Sequence, residues 1–295
     1  MRKKNIIIIG GPTASGKSSL AMKWALLHGG EIINADSMQV YRELDILTAC
    51  PTNTEMEQVP HHLYRVLKGN DACSAERWRD MARSIISEVW EHEKTPIVVG
   101  GTGLYLKALV YGLSPVPKID ENVRMEVRAE VTREGAEMTH AKLTELDPEM
   151  AVRLAPGDSQ RIARALEVIR STGRSLALWQ QEPKTGGLVD EDVEISKHVL
   201  MRDRAELYDR CNYRFQQMIE TGAAIDEVRA LMALKYPHNI AVMKSLGVAQ
   251  IINYLDENST LEEAITLSQT ATRQFAKRQM TWFKNQFSNW KSEKL

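Results

Sequence analysis

Long apolar runs are missing from this 295-residue sequence. The run at residues 6–9 is far too short for a signal-peptide core or a membrane span. It leads straight into a glycine loop, so it reads as a buried strand. Nothing marks export, and the expected compartment is the cytoplasm, with no membrane partner. Cysteine is sparse. Cys50, Cys73 and Cys211 stand far apart, with neither a C-x-x-C pair nor a second ligand set, and read as buried or incidental thiols. A surplus of either charge is missing too: 38 Lys and Arg against 39 Asp and Glu leave −1. No global field then draws in nucleic acid. Internal repeats and low-complexity tracts are absent.

What is present suits a globular protein with a real core, at 43% apolar and 26% charged residues. The length permits one large domain, or a core with an insertion. Residues 4–11 read as a strand and 15–28 as a helix, followed by a second strand at 31–36. Ser74 is a plausible N-cap for a helix to about residue 93, with Trp78, Met81, Ile85 and Val89 as its apolar stripe. A third strand follows at 95–100 and runs into a glycine turn and a helix. Alternation of this kind, with short loops, predicts a parallel sheet with helices on both faces. From about 115 to 190 only short helical patterns occur, broken at Pro148, Pro156 and Pro183. A returning strand at 195–201 follows, and beyond it only helices are expected, at 203–221, 224–234 and 260–286. The fold class is therefore α/β, with a P-loop NTPase-like core at 1–114 and 195–295. The stretch 115–194 is expected to be an α-helical insertion.

The strongest chemical signal is "GGPTASGKSS". Gly11, Gly16, Lys17 and Ser18 are in register with G-x-x-x-x-G-K-[ST], between a strand and a helix as that motif requires. Its backbone amides converge on phosphate oxygens, Lys17 adds a point charge and Ser18 a hydroxyl for Mg²⁺. In an open α/β sheet, ligands bind beyond the carboxyl ends of the strands. That rule aligns this loop with Asp36, Ser37 and the Gly100-Gly101-Thr102-Gly103 turn along one rim. Asp36 reads equally as a cap or as a general base or magnesium partner. The third strand ends in glycines where a triphosphatase would often place an acid. The small residues there admit close approach of something bulky, or simply make a tight turn. After the fourth strand come Arg202, Arg204, Arg210 and Arg214, the last two on one helix face, and spacing does not say which one meets a phosphate.

Two features bear on nucleic acid. The helix at 158–174 carries Arg161 and Arg164, normally a solvated face but a credible backbone contact if the insertion overhangs a phosphate site. The C-terminal stretch sets Arg273, Lys277, Arg278, Lys284, Lys291 and Lys294 against one acid, Glu293. Trp282, Phe283 and Trp290 are interleaved there, which slightly favours RNA over a plain solvated face. His61-His62 lacks ligand partners at metal spacing and reads as structural or positioning.

Taken together, "GPTASGKS", "NADSMQVYR", "PHHL", "VVGGTGLYLKAL", "DSQRIARALEVIRSTG" and "TRQFAKRQMTWF" resemble the tRNA dimethylallyltransferases, also called tRNA isopentenyltransferases, in order over nearly the whole chain. The resemblance is to the bacterial type, without a zinc-finger-like extension. It implies transfer of a dimethylallyl group from dimethylallyl diphosphate to N6 of the adenosine 3′-adjacent to the anticodon (position 37). The loop Gly11, Pro12, Thr13, Ala14, Ser15, Gly16, Lys17 and Ser18 would then hold a leaving diphosphate, with Mg²⁺ on Ser18 and help from Arg210 and Arg214. Asp36 would be the base, assisted by Thr102 and Lys17. Contacts to tRNA are implied for Asp36, Ser37, Met38, Gln39, Thr102, Arg124, Gln160, Arg161, Ile162, Ala163 and Arg164, and the enzyme is expected to act as a monomer. The chain departs from the family at Tyr64-Arg65, where an aliphatic residue and Asp are common, and at Val248, where Tyr is usual. Two rival classes are a P-loop small-molecule or nucleotide kinase, which would turn over ATP without tRNA, and a non-catalytic tRNA-binding protein.

Overall fold

A computed structural model describes residues 4–294. In chain order it forms β1 (Lys4–Gly10), α1 (Lys17–His28), β2 (Gly30–Asn34), α2 (Asn53–Gln58), β3 (His61–His62), α3 (Ala75–Glu91), β4 (Thr95–Gly100) and α4 (Gly103–Tyr111). Next come α5 (Glu121–Glu134), α6 (Ala136–Leu146), α7 (Pro148–Val152), α8 (Ser159–Thr172) and α9 (Leu176–Gln181). The chain then continues through β5 (Val193–Met201), α10 (Arg204–Glu220), α11 (Ala223–Ala233), α12 (Val248–Leu255), α13 (Leu261–Gln286) and β6 (Lys291–Lys294).

The six strands make one sheet in the order β3-β2-β4-β1-β5-β6, with every pairing parallel. Strand alternation explains why both faces are apolar. Ile9, Ile32, Ile97 and Val99 face α1, where Leu20, Ala21 and Ala25 meet them. Ile8, Ile33 and Val98, one residue out of phase, are fully buried as well. This is a P-loop-like α/β sheet flanked by helices. The β1–α1 loop leaves the centre of the sheet at its carboxyl end, where ligands bind in such folds.

Several local expectations need adjustment. Ser74 does cap α3, its side chain accepting from Arg77 N–H. The buried stripe, however, is Trp78, Ala82, Ile86 and Val89. Met81 and Ile85 sit at its half-buried margins, because the sheet selects the side of the helix centred one residue later. The region after residue 201 is not purely helical: β6 adds a polar edge strand beside β5, with His198 opposite Lys291. Phe283 and Trp290 of that stretch are buried, and Trp290 stacks on Phe287 at 3.8 Å. Their interleaving with the bases is core packing, which withdraws them from the RNA reading.

The chain falls into two compact units. One runs to Val110 and resumes at Leu188; the other is Tyr111–Gly187. The second unit is wholly helical apart from one bridge between Leu113 and Thr185, and its core gathers Val127, Leu143, Met150, Ile162, Leu166 and Leu176.

Candidate active site

The phosphate loop is held by backbone geometry that few residues tolerate. Ala14 and Gly16 adopt φ of 60° and 95°, left-handed values that turn successive amides inward. Gly11 has no room for a side chain, since a Cβ there would lie 2.7 Å from the Leu200 carbonyl oxygen. Ser15 is fully buried and its hydroxyl has no hydrogen-bond partner among the described residues. Lys17 donates to the Pro12 carbonyl at 3.2 Å. Burial lowers its pKa to about 8; Asp36 opposes that shift and Arg214 adds to it. Ser18 is exposed, leaving its hydroxyl open to solvent.

Three arginines reach this loop, two of them from α10. Arg202, just before the helix, donates through Nε to the Ser15 carbonyl at 2.7 Å. Arg210 Nε reaches the Ala14 carbonyl at 2.8 Å, and Arg214 Nη2 reaches Thr13 Oγ1 at 2.6 Å. The i, i+4 spacing thus puts both on the loop, and burial depresses the pKa of Arg214. Arg204 turns away and stacks on Tyr208.

Across the rim, β2 ends at Asn34, and Asp36 lies just beyond the strand. The Asn34 amide fixes this turn. It donates to the carbonyls of Asp36 and Leu63 and accepts from Asp36 N–H at 2.8 Å. Trp78 Nε1 in turn donates to the Asn34 carbonyl at 2.8 Å. Asp36 Oδ1 accepts from Met38 N–H at 3.0 Å, so one carboxylate oxygen does serve as a cap. Its Oδ2 faces Gly101. Thr102 Oγ1 accepts from Ser37 N–H at 2.9 Å and donates to Ser37 Oγ at 3.2 Å, tying the two halves of the rim together. Gln39 spends both amide protons on the carbonyls of Thr48 and Ala49, each at 2.9 Å. Beside Ser18 lies a cavity of about 60 Å³ bordered by Met22, Gln39, Cys50 and Tyr64. Burial pushes the Cys50 thiol up to about 12, which excludes it as a thiolate nucleophile.

The glycines ending β4 admit the protein itself. A Cβ on Gly100 would lie 2.1 Å from the Ala35 carbonyl oxygen, one on Gly101 2.4 Å from Gln279 Nε2, and one on Gly103 2.0 Å from the Trp282 ring. Gln279 of α13 accepts from Thr13 N–H at 2.8 Å and donates to the Gly101 carbonyl at 2.9 Å, so it bridges the phosphate loop to the glycine turn. A glutamine within a long amphipathic helix carries no sequence signal of such a role. Gln279→Ala would leave both backbone groups unpaired in a buried setting and is expected to cost about 1–3 kcal/mol. Denaturant unfolding of the variant measures that loss.

His62 meets Glu31 at 2.7 Å and His61 the Val59 carbonyl at 2.7 Å, as parts of β3. No group of three or more His, Cys, Asp or Glu able to hold a metal occurs among the described residues. At the family departures, Arg65 pairs with Asp45 and donates to the Pro51 carbonyl at 3.0 Å, while Tyr64 borders the cavity. Val248 is fully buried at the start of α12.

Within the second unit, Gln160 and Arg161 are exposed on α8, with Ala163 and Arg164 half-buried. Ile162 is fully buried in that unit's core. Arg124 on α5 pairs with Glu121 at 2.9 Å.

The family model described as IPP transferase matches residues 39–286. A tRNA dimethylallyltransferase of Sphingopyxis alaskensis is 48% identical over 280 residues, covering 95% of this chain and 89% of the relative. The crystal structure of a tRNA isopentenylpyrophosphate transferase from Bacillus halodurans is 36% identical and aligns with a TM-score of 0.69 over 99% of this chain and 90% of its own. A eukaryotic dimethylallyltransferase, described as acting on tRNA, is 26% identical with a TM-score of 0.81, over 99% of this chain and 74% of its own. With a phosphate loop, a carboxylate rim and a glycine turn in the order that the motifs predict, this chain belongs to the IPP transferase family of tRNA dimethylallyltransferases.

Proposed function

We propose that this chain transfers a dimethylallyl group from dimethylallyl diphosphate to the N6 amine of the adenosine following the tRNA anticodon, releasing diphosphate. The observation that carries this reading is the pairing of a cation-lined phosphate loop with Asp36 across the rim, while Gly101 and Gly103 after β4 pack against Gln279 and Trp282. A kinase needs residues that organise an attacking hydroxyl around a γ-phosphate. A prenyltransferase needs only to hold a departing diphosphate and to receive a proton.

The loop amides, Lys17 and Arg214 would bind the diphosphate and stabilise its charge as the allylic C–O bond breaks and the electron pair leaves with oxygen. The unpaired, buried Ser15 hydroxyl fits a loop built around a phosphate oxygen. The adenine N6 lone pair forms the new C–N bond, and the amine proton passes to Asp36 Oδ2. Thr102 would hold the Ser37 turn beside it. Exclusion of water would keep the allyl cation from hydrolysis.

The exposed Ser18 hydroxyl is the kind of hard oxygen donor that Mg²⁺ accepts alongside diphosphate oxygens. Bound there, the ion would neutralise charge on the leaving group. The enzyme is read as acting as a monomer. A tRNA substrate suits the cytoplasm, and among the described residues no helix is long and apolar enough to cross a membrane.

The test is incubation with dimethylallyl diphosphate and unmodified tRNA, followed by nucleoside analysis. Isopentenyl-type modification of the adenosine beside the anticodon is expected, and unmodified tRNA at saturating donor would refute the reading. A pH dependence accompanies it. Lys17 is charged below about pH 8 and neutral above, so kcat/KM for the donor should fall as pH rises through that value. The fall should vanish in Lys17→Ala, and its persistence there would assign it to another group.

A further inference from the structure

In the second unit, one buried carboxylate sits among three guanidinium groups. Glu167 of α8 has a side chain only 4% exposed. Its Oε1 lies 3.2 Å from Arg128 Nε, and its Oε2 lies 3.6 Å from Arg164 Nη1 and 3.9 Å from Arg124 Nε. Helical spacing builds this cluster. Arg124 and Arg128 stand at i, i+4 on α5, and Arg164 and Glu167 at i, i+3 on α8, so two packed helices turn these faces to each other.

The geometry is not that of a closed ion-pair network. The Arg128 side chain is 64% exposed, and its η amino groups make no hydrogen bond within the described residues. Arg164 is 42% exposed and keeps no hydrogen bond to Glu167 at 3.6 Å. The buried Arg124 Nε has no hydrogen-bond partner among the described residues. The other acid on the cluster, Glu121, is 65% exposed, and such surface pairs are readily exchanged. Three cations thus share one fixed anion and leave several donors directed outward. Planar guanidinium forks of this kind match phosphate oxygens.

We propose that Glu167 is a positioning residue that gathers Arg124, Arg128 and Arg164 into a clamp for a backbone phosphate of the RNA, with Arg128 an added phosphate contact. This rests on the reading of tRNA as substrate. Glu167 offsets the mutual repulsion of the three guanidinium groups and fixes their spacing. The clamp positions RNA without reading its bases, so it acts on affinity and register.

The test is the salt dependence of tRNA binding by the wild type, Arg128→Ala, Arg128→Lys and Glu167→Gln, with melting temperatures alongside. Arg128→Ala should lower the log–log salt slope by about 1 and raise the KM for tRNA, and Arg128→Lys should restore the slope. Glu167→Gln removes a negative charge, so a bystander role predicts tighter RNA binding, whereas the clamp predicts weaker binding. Arg128 is exposed, so its variants test the proposal even if Glu167→Gln fails to fold. An Arg128→Ala slope equal to the wild type's would overturn the clamp, as would tighter binding by a folded Glu167→Gln. Inorganic diphosphate is the control: an equal loss of its binding in Arg128→Ala would make the cluster a free-anion site and also overturn the proposal. Wild-type protein without salt-dependent tRNA binding would overturn the RNA reading itself.

Discussion

Asp36→Asn is expected to slow single-turnover transfer by about 10²–10⁴, the usual contribution of a positioned base. The substitution preserves shape. Asp36 is held through its own backbone by Asn34, and its Oδ1 accepts from Met38 N–H. An asparagine can keep that cap through its carbonyl oxygen, so the turn should survive. It cannot take a proton from the adenine amine as the new bond forms. Affinity for tRNA and for dimethylallyl diphosphate should therefore stay within a few fold, and only the chemical step should fall. A metal-holding role predicts instead that added Mg²⁺ restores the rate, so a magnesium titration separates the two. Near-normal transfer by Asp36→Asn at saturating substrates would remove Asp36 from the mechanism.

The second large effect is expected at Lys17. Removing one preorganised donor to a developing anion costs about 10²–10³ in rate. Lys17→Ala should lose that much, with a raised donor KM and nearly unchanged tRNA affinity. The half-buried amine donates to the Pro12 carbonyl, and burial lowers its pKa to about 8, opposed by Asp36. In that setting a charge acts on a departing diphosphate with little screening. Arg214 and Arg210 remain in the variant, so some diphosphate binding should persist. A normal rate and a normal donor KM would show that the loop serves something other than the leaving group.

The phosphate loop, the Ser74 cap and the helical character of the inserted region were all legible in the sequence. Each is a local device, whose residues make their own structure within a few positions. Other parts were hidden because they depend on distant partners. Gln279 becomes a bridge only when folding brings it to Thr13 and Gly101. Gly100, Gly101 and Gly103 read as room for something bulky or as a tight turn, and which neighbours would come close, Ala35, Gln279 and Trp282, was not visible. The four residues of β6 are polar and lie on a sheet edge, so they lack the apolar alternation that marks a strand. Ile162 belongs to a motif that resembles an RNA contact, yet helical phase turns it into the core between Arg161 and Ala163. The spacing of Arg210 and Arg214 was visible from the start. Their targets, Ala14 and Thr13, were not.

The central claim is that the phosphate loop holds a leaving group and transfers no phosphoryl group. Donor labelled in both the allyl carbon and the diphosphate, incubated with unmodified tRNA and no ATP, tests it directly. Carbon label is expected on the adenosine beside the anticodon, with an equal amount of phosphorus label released as intact diphosphate. Release as orthophosphate, phosphorus label on the acceptor, or turnover that needs ATP and no tRNA would contradict it.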